Sequence, residues 1–268
     1  RTREANAGVL FPVRRVRWSQ SLLAALHSSV DEFSCGDSSP TQATTCGPDE
    51  TRRTRRRALR AGWLLNDSRS YGYSISRQDG WTATVGTELT REALGSDADG
   101  EAATVDVRGF VPVWPRHAVL AARAAGAAAW GDRRVRRLFS ASGNGPRPLA
   151  FDFGSDAVGL LRGLGADEIA GTRAAVVNLD YRFPLSRVDR GLGTLPGFAR
   201  VVHGAVFVDA GHAWVERFTR SDITVSAGAE LSLDAVVGFV LPLTVTAGGA
   251  WVSQGRGFAG FARIGRAF

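Results

Sequence analysis

The sequence predicts an all-β fold, a transmembrane antiparallel β-barrel, and three observations carry that prediction. About thirteen extended segments alternate apolar with polar or small residues along the 268-residue chain. Hydrophobic residues make up 44% of it, yet it has no run of ~18 or more apolar residues for a spanning helix. The longest candidate, 117–130, is interrupted by Arg123. Finally, Trp18, Trp63, Trp81, Trp114, Trp130, Trp214 and Trp251 fall mostly near segment ends, where an interfacial aromatic girdle would place them. Such segments match the ~9–11-residue tilted strands of an outer-membrane barrel, apolar outside and polar in the lumen. A soluble sandwich or ligand-binding barrel also alternates, but it reverses the faces and packs its core with large residues.

The segments follow in order. Residues 6–12 and 17–31 read as extended, the second with Leu22, Ala24, Leu26 and Val30 on one face. The polar run 34–50 then holds Cys35 and Cys46, without a CxxC or Cys/His spacing suited to zinc. A disulfide closing an exposed loop in an oxidising compartment is the expectation, with two free thiols as the other reading. Over 54–66, Leu59, Ala61, Trp63 and Leu65 oppose Arg60 and Gly62, and Asn66-Asp67-Ser68 supplies a turn. A short strand is expected at 70–76, followed by a hairpin signal at Gln78-Asp79-Gly80. In 81–91, Trp81, Ala83, Val85, Thr87 and Leu89 oppose an entirely polar or glycine face.

Asp97, Asp99 and Glu101 alternate near the loop 95–100, but the glycine and distal glutamate of an EF-hand are missing. Residues 103–111 and 117–130 continue the alternation, the latter so rich in alanine that a helix would also suit it. Another strand is expected within 133–153, before a Gly/Pro interruption at Gly143-Asn144-Gly145-Pro146. Then comes Leu161-Arg162-Gly163-Leu164, an arginine on a glycine-flanked loop. A lumenal or buried guanidinium requires a carboxylate. Beyond it, Asn178, Asp180 and Arg182 share the polar face of one segment, and His203, Phe207 and Asp209 share a face of the next. Asp209 is therefore the candidate partner, and Glu230, on the polar face of the segment after that, is a second. Residues 239–246 and 258–268 complete the series, the last running to a terminal aromatic.

Composition narrows the function. The net charge is +7, and all 33 basic residues are arginine. Much of the excess lies in Arg52-Arg53 with Arg55-Arg56-Arg57, and in Arg133-Arg134 with Arg136-Arg137. Neither cluster is interleaved with aromatics or joined by a nucleic-acid-binding motif, so a solvated or lipid-headgroup-facing surface is expected and nucleic acid is not. Methionine is absent and glycine is abundant at 32 residues, and residue 1 is read as an internal point of a longer protein. GxSxG, P-loop and HExxH motifs are missing, as is GxGxxG in a strand-helix context. His203, Asp209 and His212 do not share a face, which argues against a metal site. No enzyme, metal or cofactor is expected. Glu88, Asp106, Asp180 and Glu230 are read as solvated lining of a pore.

The order Leu161-Arg162-Gly163-Leu164, then Asp180-Tyr181-Arg182-Phe183-Pro184, then Phe207-Val208-Asp209-Ala210-Gly211 with a C-terminal Phe, resembles the C-terminal barrel of the Omp85 superfamily, or bacterial surface antigen proteins. That superfamily includes BamA-type insertases and TamA-like proteins. The resemblance covers 151–268 strongly and 1–150 weakly. It implies a barrel of about sixteen strands spanning 1–268, with roughly three N-terminal strands and an upstream periplasmic or propeller-like domain outside the chain. It also implies a loop, carrying the Arg-Gly motif, that folds back into the lumen. The family's arginine maps onto Arg162 and its acidic partner onto Asp209, with Glu230 as a possible second. Leu164 stands where the motif usually has an aromatic residue, and Asp180 where the following strand usually has glutamate. Phe258, Phe261 and Phe268 would mark a C-terminal strand signal. The implied setting is the bacterial outer membrane. The implied work is insertion, assembly or translocation of proteins, with lipid, unfolded outer-membrane or secreted chains and periplasmic accessory proteins as partners. The alternative is a passive anchor or pore for an N-terminal propeller-like or hydrolase domain.

Overall fold

The computed structural model describes residues 2–34, 51–191, 193–194, 196–238 and 240–268. Cys35 and Cys46, and with them the expected disulfide, lie outside the described residues. The long strands are β1 Thr2–Arg14, β2 Ser19–Ser34, β3 Thr51–Asn66, β4 Gly80–Thr90, β5 Gly100–Val113 and β6 Ala118–Gly131. Two short strands follow, β7 Phe139–Ser140 and β8 Ala170–Gly171. The series ends with β9 Arg173–Gly191, β10 Gly197–Trp214, β11 Thr224–Val237, β12 Leu241–Val252 and β13 Gly257–Ile264. Eleven strands form one antiparallel sheet in the order β1-β2-β3-β4-β5-β6-β9-β10-β11-β12-β13, and β7 pairs with β8 apart from it. Strand neighbours in the sheet are thus neighbours in sequence, the meander of an up-and-down barrel wall, with β6 joined to β9 across the long connection 132–172.

Period-two alternation explains the two faces. On β5, β6, β9 and β10 the outward positions Val105, Leu120, Val177, Leu179, Val206 and Val208 are exposed. Between them Arg108, Arg123, Asn178, Asp180, Phe207 and Asp209 are buried on the inner side. The alanine-rich segment is strand and not helix, because its inner face, Ala121, Ala125, Ala127 and Ala129, is buried. Alanine is what leaves room there. Phe139, Val158, Leu161, Leu164 and Ile169 of the connection pack against Ala125, Ala127, Ala129, Ala174 and Val176 of the wall. The connection therefore lies inside the barrel.

Two expected strands are absent as such. Residues 70–76 form turns and bends. The Tyr71 amide donates to Ser74 Oγ (2.9 Å) and Ser74 Oγ donates to Gln78 Oε1 (2.8 Å), so local side chains satisfy the backbone that a ladder would have used. The hairpin signal at Gln78-Asp79-Gly80 falls at the end of the same connection, its Gly80 being the first residue of β4. Within 133–153 only Phe139–Ser140 is strand, because this Gly/Pro-rich stretch enters the lumen. Of the expected thirteen or so segments, eleven are thus wall strands among the described residues, and the short lumenal β8 lies where no strand was expected.

Candidate functional site

The connection carries its arginine into the middle of the wall. Leu160, Leu161 and Arg162 are all 0% exposed. Gly163 follows at φ 88°, and a Cβ there would lie 2.8 Å from Ala250 Cβ and 3.0 Å from Val252 Cγ2 on β12. Only glycine gives both that left-handed turn and that approach. Asn144 fastens the tip from the side, accepting from the Gly163 amide at 2.7 Å and donating to the Leu164 carbonyl at 2.7 Å.

The Arg162 guanidinium reaches three strands. Its Nε and Nη2 donate to the two oxygens of Asp209 on β10 at 2.8 and 2.7 Å, a bidentate pair that the Arg162 amide extends at 3.2 Å. Nη2 also donates to Asp180 on β9 at 2.5 Å, and Nη1 lies 3.4 Å from Glu230 on β11. The Phe207 ring covers its flat face at 3.6 Å, a cation–π contact. Two further arginines balance the acids, Arg182 on Asp180 at 2.8 Å and Arg263 on Glu230 at 2.6 Å. Three guanidiniums thus meet three carboxylates. Asn178 completes the set, donating to Asp209 Oδ1 at 2.8 Å and to the Leu160 carbonyl at 2.7 Å.

Comparison with family profiles and with curated protein sequences found no match. Comparison with solved structures found the crystal structure of BamA from Haemophilus ducreyi lacking POTRA domains 1–3, at TM-score 0.62 and 16% identity, covering 98% of this chain. The chain has the fold of the BamA barrel. It spans 54% of that BamA chain, so the likeness extends to about half of it.

Within the BamA-like barrel, Arg162, Asp209 and Glu230 come together as the parity of their strands implied. Asp180, expected as pore lining, joins them. That reading is corrected for all four acids: Asp180 is 0% exposed and Glu88 2%, and Asp106 and Glu230 are ion-paired and largely buried. The signal was present, since each acid sits at an inward position facing an inward arginine. Glu88 on β4 accepts from Arg60 at 2.6 Å and from Arg137, near the start of the connection, at 2.6 and 2.8 Å. This is a second clamp, remote from Arg162 along the sheet. Arg123 on β6, read only as the break in an apolar run, donates to Asp106 (2.8 Å), Asn178 Oδ1 (3.1 Å) and the Val158 carbonyl (3.1 Å). It ties wall to connection.

The aromatic strand signal divides. Phe258 on β13 is 76% exposed, pointing outward, whereas Phe261, three positions on, lies over the lumen 6.1 Å from Phe207. The expectation that the last strand runs to Phe268 is corrected: β13 ends at Ile264. The chain turns at Gly265, φ 111°, and Phe268 is buried beneath Arg182, whose guanidinium lies 4.4 Å from the ring and donates to the Phe268 carbonyl at 2.9 Å. The ring goes where a cation and an apolar cluster of Phe110, Val119 and Leu160 receive it. Near 95–100, Asp97 and Asp99 accept from the Arg55 and Glu92 amides at 2.7 Å, and Glu101 pairs with Arg91. Protein donors thus occupy those carboxylates. His212 stacks on Trp214 (6.2 Å) while His203 faces Asp234 (3.6 Å), and no group of metal-ligating residues occurs among the described residues.

Proposed function

We propose that this chain is the barrel of an Omp85-type protein of the bacterial outer membrane, acting in the insertion, assembly or translocation of other proteins. The observation that carries the reading is the connection 132–172 held inside the wall by Arg162, because a lumen so filled is a poor passive channel. Passage or insertion must then move the plug or part the wall. The wall is thinnest at β13, whose eight residues pair with β12 only from Val245 to Val252; the Gly265 amide adds one bond to the Thr244 carbonyl at 2.7 Å, and residues 241–243 have no strand partner on that side among the described residues. Partial pairing leaves backbone groups to which an incoming strand can add. Membrane lipid, unfolded outer-membrane or secreted chains and periplasmic accessory proteins are the partners this reading requires. The balanced, buried network also suits a static brace. That supports the second reading, a barrel that anchors an N-terminal domain or serves as its pore.

The two separate in reconstituted vesicles. The full-length protein in liposomes is expected to speed the folding of a small unfolded outer-membrane barrel, read by its heat-modifiable gel mobility. Unchanged client folding, with the protein itself correctly folded, would overturn the proposal in favour of the anchor.

A further inference from the structure

At the end of the wall away from where the 132–172 connection leaves β6, a cavity of about 480 Å³ opens between β5, β11, β12, residues 146–149 of that connection and the inward-turned tail. Its charged side chains are Arg77, Arg108, Arg147, Arg200, Arg266 and a single side-chain carboxylate, Asp234. Three of the arginines are neutralised, Arg108 by Asp106 (2.7 Å), Arg147 by Asp156 (2.8 Å) and Arg266 by Asp234 (2.7 Å). Two have no ion pair among the described residues. Arg77, in the connection between β3 and β4, donates only to neutral oxygens, Asn66 Oδ1 at 3.0 Å and Ser68 Oγ at 2.6 Å. Burial, followed by repulsion from Arg108, holds its guanidinium below the ordinary arginine range. Arg200 sits at a bulge of β10 where the register shifts against both β9 and β11. A bulge re-aims a side chain, and this one lines the cavity.

The excess positive charge is therefore built in, and low-dielectric walls concentrate its field. The remaining lining is apolar, with Pro148, Leu149, Leu243 and Phe268, and the volume is within the ~300–1,000 Å³ of small-molecule sites. We propose that this vestibule binds an organic anion, its carboxylate or phosphate head drawn to Arg77 and Arg200 and its apolar body lying on Pro148, Leu149, Leu243 and Phe268. Guanidinium pairs well with both head groups. The site is independent of any insertion activity, since neither arginine takes part in the Arg162 network.

Calorimetric titration of the full chain in nanodiscs of zwitterionic lipid tests it, with phenyl phosphate, benzoate, benzyl alcohol and benzylamine as probes. At least one anion is expected to bind while the neutral and cationic probes do not, and the tighter anion identifies the head group. Arg77→Gln with Arg200→Gln should weaken binding by about ten-fold or more, the scale of a lost charge-assisted hydrogen bond. Arg200→Gln alone, at an exposed residue, should weaken it measurably if the double variant does not fold. Arg134→Gln, at the opposite end, should leave it unchanged. Binding of neither anion, equal binding of benzyl alcohol, indifference to Arg200→Gln, or an equal loss in Arg134→Gln would overturn the proposal.

Discussion

Arg162 is held by several partners at once, which sets what its replacement should do. Arg162→Gln strands Asp209 and leaves Asp180 and Glu230 to Arg182 and Arg263 alone, in a site where Arg162, Asp180 and Asp209 are 0% exposed, and breaking such a pair costs ~3–5 kcal/mol. Asp209→Asn should cost less, because Arg162 keeps Asp180 and Glu230. The double variant should fall short of the sum, since both act on one network. Midpoints of urea unfolding in detergent check this, and strictly additive losses would count against a shared site. Exchanging the charges, Arg162→Asp with Asp209→Arg, should rescue only partly, as the new carboxylate sits beside Asp180 and Glu230. A simple Arg162–Asp209 pair would instead have been fully exchangeable. At Gly163, alanine meets both a left-handed backbone and Ala250. Gly163→Ala should therefore loosen the tip, read as faster protease cleavage within 132–169.

At the scale of elements, β6 and the lumenal connection are matched surfaces. Ala127→Leu, on the inner face, should overpack the contact with the connection by ~1–3 kcal/mol and raise its protease sensitivity. Ala124→Leu, on the outer face, should do neither. A second match lies across the lumen: Gly62 and Gly86 are register partners on β3 and β4, and a Cβ on either would meet Phe151 or Phe153 of the connection at 2.5 and 3.1 Å. Much of the wall was legible in the sequence because a strand repeats every two residues and lipid demands an apolar outer face. The same parity placed Arg60, Gly62, Glu88 and Asp209 on inner faces. The connection obeys no period, and tertiary contact alone sets its path. For that reason nothing in the sequence marks the contacts of Asn144, Arg137, Phe151 and Phe153, and the alternation of Tyr71, Tyr73 and Ile75 in 70–76 is coincidental. Arg182 hid the role of Asp180, because two residues apart on one face they look like a purely local pair.

Over the whole molecule, the connection bridges the sheet: Arg137 meets Glu88 on β4, Arg123 on β6 holds its carbonyls, and Arg162 gathers β9, β10 and β11. The plug and wall are thereby one unit, and any client passage has to break or carry this bridge. The tryptophans bracket that unit, Trp130 and Trp251 exposed toward the end that emits the connection, Trp18, Trp81 and Trp114 toward the other. They are the expected membrane boundaries, and brominated lipids should quench their fluorescence. The central claim is that Arg162 pins the connection within the lumen. Spin labels at Asp167, on the connection, and Glu216, after β10, measure it directly in a chain with Cys35 and Cys46 replaced by serine. Pulsed electron resonance should give a narrow distance distribution in the parent protein and a broad one after Arg162→Gln. An equally narrow, unshifted distribution in the variant would contradict the account.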